Sequence, residues 1–524
     1  MGSRLRDRVS GRPGTGPLLA GGERMENDQK RNAARWLRRE LGRWLACCRG
    51  RITPSPEGGE SSSGYRRGAE WRQNTPGNGS SERNPTKQAI PPIMKDQPFL
   101  IFWNIPTEKC STHRGVDLHL GDYGIVTNEN EVFMGENITI FYVAQLGKYP
   151  YYLGDEPVNG GCPQNASLRE HSRAMRADVH RYLSRNYRGL AVIDWEEWRP
   201  LYWRNWGSKI IYRNKSQDIV RARHPESSSQ QVEKQAQVEF DKAARLFLSS
   251  TLKLGQQLRP AALWGFYLFP DCYNYHYGPE YAEYDGRCPA VEIERNNDLG
   301  WLWAQSNALF PSVYVEERLK SSKRVRLYAR YRVTEAMRVA LLSGSKYTRP
   351  VFVYARSHYT ETLKPLSQVD LIHTVGEIAA LGASGIVLWG SLDFSRTTEN
   401  CQSVKDNLKS ILGPYILNVT MAARLCSHTL CRKHGRCYRK WPEDDAFLHL
   451  SHKSFHMVTR ERIYVKGRLR RSDQRWIRAH FHCQCYKGWS GLRCSHFEVS
   501  SAAPCTEQSI FTMAFLPLLI QFLC

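Results

Sequence analysis

Gly189-Leu-Ala-Val-Ile-Asp194-Trp195-Glu196-Glu197-Trp198-Arg199-Pro200 decides how the rest of the chain is read. Four apolar residues behind a glycine predict a strand that ends at Asp194. Outward from it, short apolar runs recur at 99–103, 138–143, 262–269, 312–315, 351–354 and 385–389. Helical spacings lie between them. One places Leu168, Met175, Val179 and Tyr182 on a single face and closes at Gly189. Another runs through Val232, Ala236, Phe240, Ala243 and Phe247, with Gly255 near its end. Strand followed by helix, repeated along 94–425, predicts an α/β fold of the parallel (β/α)-barrel type rather than an open sheet. Such a fold places its chemistry at the carboxyl ends of the strands.

Asp194 and Glu196 stand at i and i+2, so both project to one side of the strand while Trp195 and Glu197 face the other. Two neighbouring carboxyls cannot both ionise freely, so one pKa is raised. A carboxylic acid kept protonated near neutrality can protonate a glycosidic oxygen. The partner at i+2 is too close to act as an opposing base across a sugar ring, a role that needs carboxyls roughly 5–10 Å apart. A substrate-assisted route fits this pair better: the substrate's own acetamido oxygen attacks the anomeric carbon, and the second carboxyl orients the acetamido group. A solvated pair of acids at a surface strand end is the bland alternative.

The 524 residues carry a net charge of +23, which favours a polyanionic partner but does not choose among nucleic acid, membrane and acidic polysaccharide. Residues 1–93 hold 18 Lys and Arg against 9 Asp and Glu, or +9, and the remaining +14 belongs to the rest of the chain. This Arg-, Gly- and Ser-rich head is read as a disordered or mis-assigned extension. No basic-then-apolar leader follows Met1, since the run at 36–48 is broken by Arg38, Arg39, Glu40 and Arg43. Residues 499–524 form a polar spacer and an apolar tail similar to a glycolipid-anchor signal. Fifteen cysteines, with sequons at Asn137, Asn165, Asn214 and Asn418, point to the secretory route and an extracellular or cell-surface location.

Six of those cysteines fall within 426–498: Cys426-x4-Cys431-x5-Cys437, then Cys483-x-Cys485-x8-Cys494. The pattern resembles a module of the epidermal-growth-factor type, which implies the pairs Cys426–Cys437, Cys431–Cys483 and Cys485–Cys494. A zinc cluster is the alternative, but paired C-x2-C knuckles are missing. The stretch from Tyr438 to His482 is a long basic insertion containing Arg468, Arg470, Arg471, Arg475 and Arg478. It is suited to touching an acidic polymer or, as charge runs more often are, simply solvated. The histidines are scattered, and no metal or cofactor site is expected.

The segments Val192-Ile-Asp-Trp-Glu-Glu-Trp-Arg-Pro200, Trp264-Gly-Phe-Tyr-Leu-Phe-Pro-Asp-Cys272, Asn297-Asp-Leu-Gly-Trp-Leu-Trp303 and Gly382-Ala-Ser-Gly-Ile-Val-Leu-Trp-Gly390 together resemble the animal hyaluronidases. The likeness covers about 98–494 and is nearest to the glycolipid-anchored, sperm-surface type. It implies a distorted (β/α) TIM-like barrel and an endo-acting, retaining enzyme that cuts β-1,4 N-acetylhexosaminide bonds in hyaluronan, and in chondroitin. Glu196 is then the acid/base and Asp194 the acetamido-orienting carboxyl. Tyr267 and Tyr314 hold the acetamido group and the strained sugar, Trp389 walls the pocket, and Tyr142 and Tyr151 line the outer cleft. Arg332 either pairs with a glucuronate carboxylate or positions the site. The resemblance also implies Cys110–Cys401 and Cys272–Cys288, which leaves Cys47, Cys48, Cys162, Cys505 and Cys524 over, with Cys162 the candidate free thiol; a monomer is expected.

Two other readings compete. A non-catalytic hyaluronan-binding or adhesion protein on the same scaffold would not need Asp194, Glu196 and both tyrosines. A chitinase-like enzyme shares the D-x-E strand end, but the aspartate-rich lead-in is missing and a neutral substrate leaves the positive charge without a purpose. A nucleic-acid role rests on the basic head alone, and none is expected.

Overall fold

The computed structural model describes residues 87–278, 283–360 and 362–498. The expected anchor tail and nearly all of the basic head lie outside the described residues. The fold is mixed α/β. Its first ten strands are β1 (Leu100–Asn104), β2 (Ile125–Val126), β3 (Ile138–Phe141), β4 (Tyr151–Leu153), β5 (Glu156–Val158), β6 (Leu190–Ile193), β7 (Leu263–Phe266), β8 (Ser312–Val313), β9 (Phe352–Ala355) and β10 (Gly385–Trp389). β4 and β5 make a small antiparallel hairpin. The other eight form two parallel sheets, ordered β2-β1-β10-β9-β8 and β3-β6-β7.

A parallel bridge between Tyr267 and Phe310 links β7 to the β8 side, and the Leu268 N–H donates to the Phe310 carbonyl at 2.9 Å. Between β2 and β3 a side chain takes the place of a ladder. The fully buried Asn128 amide donates to the Ile138 carbonyl at 2.9 Å, and its oxygen accepts from the Asn137 and Ile138 N–H groups at 3.0 Å each. Each parallel strand therefore neighbours the next in chain order, and β10 pairs with β1.

Strand alternation divides the interior. Phe102, Ile140, Val192, Tyr354 and Val387 belong to one apolar cluster, whereas Trp103, Phe141, Ile193 and Ile386 join the larger cluster that includes the helices. With both faces covered, the strands read as unbroken apolar runs. The helix Leu168–Tyr182 is capped by Ser167 and buries Met175 and Val179. It stops at Tyr182 rather than running on to Gly189, whose place is at the entrance to β6. A Cβ on Gly189 would lie 2.2 Å from the Asn137 carbonyl oxygen, so only glycine lets β6 close on β3 there. The helix Ser229–Leu258 opens on a Ser228/Gln231 capping box and turns Val232, Ala236, Phe240, Ala244 and Phe247 inward.

The helix Gly413–Leu430 runs straight through the boundary expected at 425 and carries Cys426. Beyond it, β11 (Gly435–Arg439) pairs with β14 (Phe481–Cys485), and β12 (Phe455–Thr459) with β13 (Ile463–Gly467), both antiparallel. Disulfides join Cys426 to Cys437, Cys431 to Cys483 and Cys485 to Cys494, and, in the α/β part, Cys110 to Cys401 and Cys272 to Cys288. Ala89, on the head side of the boundary expected at 93, is buried and bridges to Thr348 and Tyr486. Among the described residues no helix is long and apolar enough to cross a membrane, and no cluster of His, Cys, Asp and Glu could hold a metal ion.

Candidate active site

β6 ends at Ile193, and the next N–H, that of Asp194, still donates to the Phe141 carbonyl at 2.8 Å. The strand geometry thus carries on into the acidic pair. Trp195 is buried and stacks on Tyr149 with ring centroids 4.6 Å apart. Asp194 and Glu196, on the opposite side, are partly open. Glu197 lies within electrostatic reach of Tyr149, Tyr151 and Tyr212, on the side away from the Asp194–Glu196 pair.

The turn after the pair is held from several directions. The Arg199 guanidinium donates to the Glu196 carbonyl at 3.0 Å and the Lys209 ammonium at 2.5 Å. Asn205, fully buried, accepts from the Arg199 N–H at 2.7 Å and donates to the Arg199 and Leu201 carbonyls. The Trp198 indole donates to the Pro150 carbonyl at 2.9 Å. These contacts fix the backbone that aims the Glu196 side chain.

Each parallel strand from β3 onward delivers a polar or aromatic side chain at its carboxyl end. Tyr142 follows β3, Asp194 β6, Tyr267 β7, Tyr314 β8 and Arg356 β9, and Trp389 closes β10. They meet. Tyr267 and Tyr314 lie 6.4 Å apart at an interplanar angle of 30°, and Tyr314 and Trp389 6.2 Å apart at 23°. The Trp389 indole donates to the Tyr142 hydroxyl at 3.2 Å. Tyr142 in turn stacks on Phe133.

Burial, with Glu196 beside it, pushes the Asp194 carboxyl well above the usual carboxylate range, Arg199 opposing the shift. One proton therefore resides on the pair near neutrality. Burial, with the carboxyls of Asp194 and Glu196 adding to it, also holds the Tyr142, Tyr267 and Tyr314 hydroxyls protonated. The cleft thus offers hydroxyl donors, a neutral acid and an aromatic wall. Asp194 Oδ1 is buried with no hydrogen-bond partner among the described residues.

Two residues of this cleft were not singled out from the sequence. Tyr354 presents its ring edge to Tyr267 at 4.9 Å, and its hydroxyl is within electrostatic reach of Asp194. The Arg356 guanidinium carbon lies 5.4 Å from the Tyr314 ring centre and 4.9 Å from that of Trp389. Both sit in or just after β9, and only the carboxyl-end rule could have flagged them.

Arg332 needs a correction. It is only 2% exposed and does not stand in the open cleft. Its guanidinium lies between the Tyr275 and Tyr328 rings, at 4.5 and 4.8 Å. It donates to Asn274 Oδ1 at 2.9 Å and the Ser312 carbonyl at 3.1 Å, and pairs with Asp271 at 3.4 Å. Of the two roles open to it, pairing with a glucuronate is blocked by this burial, and supporting β8 remains. Cys162 is buried and has no disulfide partner among the described residues, and burial raises its thiol to about 11, so it is not a poised nucleophile.

Comparison with known proteins adds independent support. A family model described as Hyaluronidase matches residues 88–498. A hyaluronidase of Crotalus adamanteus is 46% identical over 419 residues, covering 79% of this chain and 93% of its own. One from Echis ocellatus is 45% identical over 416 residues, with 78% and 92% covered. The crystal structure of bee venom hyaluronidase superposes with a TM-score of 0.56 at 33% identity, over 61% of this chain and 99% of the bee chain. The bee enzyme in complex with a hyaluronic acid tetramer gives the same score and identity, with 98% of that chain covered. With its family model matched over 88–498 and relatives aligned along nearly their whole length, this chain belongs to the hyaluronidase family.

Proposed function

We propose that this protein is a hyaluronan-cleaving glycosidase, an endo-acting and retaining one that works by substrate assistance on a distorted (β/α) barrel. One observation carries the mechanism: Asp194 and Glu196 share one side of the β6 end and face buried, protonated tyrosines. In the reading, the acetamido carbonyl oxygen bonds to its own anomeric carbon while the proton shared by the pair passes through Glu196 to the departing glycosidic oxygen. Asp194 and the tyrosine hydroxyls hold the acetamido group, whose polar atoms satisfy the unpartnered Asp194 Oδ1. Glu196, now a carboxylate, then takes a proton from water. That water bonds to the anomeric carbon, the carbon–oxygen bond of the cyclic intermediate breaks, and the acetamide is restored. Two inversions leave the β configuration. Trp389 walls the sugar, and Arg356, held over Trp389 and Tyr314, is placed to meet a glucuronate carboxylate.

Chondroitin is a second substrate in this reading, and the active unit is a monomer. The Cys426–Cys494 segment is taken as an epidermal-growth-factor-type module, since its three disulfides staple a small sheet to the helix Gly413–Leu430. The five disulfides among the described residues support an extracellular location, with glycans on Asn137, Asn165 and Asn418 and a glycolipid anchor at the C-terminus. The test of the mechanism compares hyaluronan with a partly N-deacetylated hyaluronan. Cleavage next to N-acetylated residues only, with β-anomeric products by NMR at early times, is expected. Equal cleavage beside free amines, or α products, rejects substrate assistance.

A further inference from the structure

The insertion in the disulfide module plays no part in the reading above, and its charge calls for a counterpart. Between 453 and 478 there are nine Lys and Arg against two acids. All nine are exposed. Among the described residues Arg462 alone of them has an ion-pair partner, Asp122 at 3.6 Å. The helix Arg471–His480 sets Arg471, Arg475 and Arg478 at i, i+4 and i+7, on one face, at intervals of roughly 6 and 4.5 Å along its axis.

The patch lies away from the cleft. Gln484 of the module donates to Thr348, just before β9, and Arg436 to the Gly382 carbonyl, just before β10. Asp122, the partner of Arg462, precedes β2. The module therefore docks on the amino ends of the strands, whereas the carboxyl pair and its tyrosines stand at the carboxyl ends.

We infer that this face is a binding surface for a sulfated glycosaminoglycan, separate from the catalytic cleft and serving to hold the enzyme on sulfated matrix. Charge density selects the ligand. Three cations within about 10 Å of helix match a chain bearing several sulfates per disaccharide. Hyaluronan offers one carboxylate per disaccharide, over about the same length, and leaves most of the cations unanswered. Seven of the nine cations are arginine, whose planar fork pairs with sulfate oxygens two at a time.

The test uses the full chain, a fluorescent heparin oligosaccharide as the sulfated probe, and two variants with equal charge removed at equal spacing. One is Arg471→Gln/Arg475→Gln/Arg478→Gln. The control is Arg169→Gln/Arg173→Gln/Arg176→Gln, on the helix Leu168–Tyr182. Each exposed pair is worth a factor of about two to five, so the patch variant should lose about tenfold or more in affinity at physiological salt. The control should change less than twofold, and both should cleave hyaluronan at the wild-type rate. Equal losses in the two variants, or no loss in the patch variant, overturn the inference. So does displacement of heparin from the patch by hyaluronan, single-stranded DNA or phosphatidylserine vesicles at equal charge.

Discussion

Replacing Arg332 by methionine, which keeps the stem and removes the charge, separates a positioning role from a substrate-binding one. The guanidinium is buried between two tyrosine rings and neutralises Asp271, and it also serves Asn274 and the Ser312 carbonyl. Burial pushes the Asp271 carboxyl upward, but Arg332, Arg204 and Arg199 outweigh it and hold the carboxyl below its ordinary range. Removing one partner of such a pair costs about 3–5 kcal/mol. With an unfolding entropy of about 2.1 cal/mol/K per residue over residues 88–498, that is a fall of roughly 4–6 °C in Tm at neutral pH.

The sign with pH follows from Asp271. A depressed carboxyl contributes stability above its unfolded pKa and loses it as pH falls through the folded one. The wild type thus loses the pair in acid, while the variant is relieved of a buried charge. The gap in Tm should narrow as pH falls towards 3, and Asp271→Asn in the variant should close much of it at neutral pH. Kinetically, β8 and Tyr314 shift, so kcat falls about tenfold or more with KM for hyaluronan changed less than threefold. Calorimetry across pH and steady-state kinetics on size-defined hyaluronan read both. A large rise in KM with Tm unchanged would falsify the positioning role and restore Arg332 to the substrate.

Three further outcomes are expected. Asp194 has a raised folded pKa, so ionising it costs the native state stability as pH climbs above the unfolded value; Asp194→Asn should therefore be more stable than wild type in urea, by a margin that widens from pH 4 to pH 8, while activity is lost. Burial, with Asp117 and Glu108 adding to it, raises Glu131 to about 7 despite the Thr107 hydrogen bond, so wild-type stability should fall between about pH 4.5 and 7 by up to about 3 kcal/mol; Glu131→Gln should flatten that slope, and an unchanged slope would place the titration elsewhere. Asn128→Leu strips partners from the backbone of Asn137, Ile138 and Val132 at the β2–β3 gap and should cost about 3 kcal/mol or more, with amide exchange faster in β3; a loss below 1 kcal/mol would show that the gap needs no bridge.

Much of this was legible because the strands are apolar on both faces. Seven runs stood out, and each lies on a strand that the structure contains. The eighth, β2, is two residues long and had no pattern to detect, because Asn128 supplies side-chain hydrogen bonds in place of a ladder. The acidic pair was visible from its i, i+2 spacing. Arg332 was ambiguous because a helix position gives no hint of the two tyrosines, Tyr275 and Tyr328, that enclose it. Arg356 was missed because one arginine after a strand looks like any other until the Trp389 ring is seen beneath it. The boundary at 425 followed the cysteine pattern, whereas the helix Gly413–Leu430 continues through it as one packed unit.

The most direct measurement is the size distribution of hyaluronan after incubation with the purified chain, wild type beside Glu196→Gln, at acid and neutral pH. The account predicts short even-numbered oligosaccharides from the wild type. The variant should leave the polymer long at both pH values while still binding it, at least a thousandfold slower given the loss of the proposed proton donor to the leaving oxygen. A folded wild type that leaves hyaluronan intact, or a variant that cuts it at a comparable rate, contradicts the assignment.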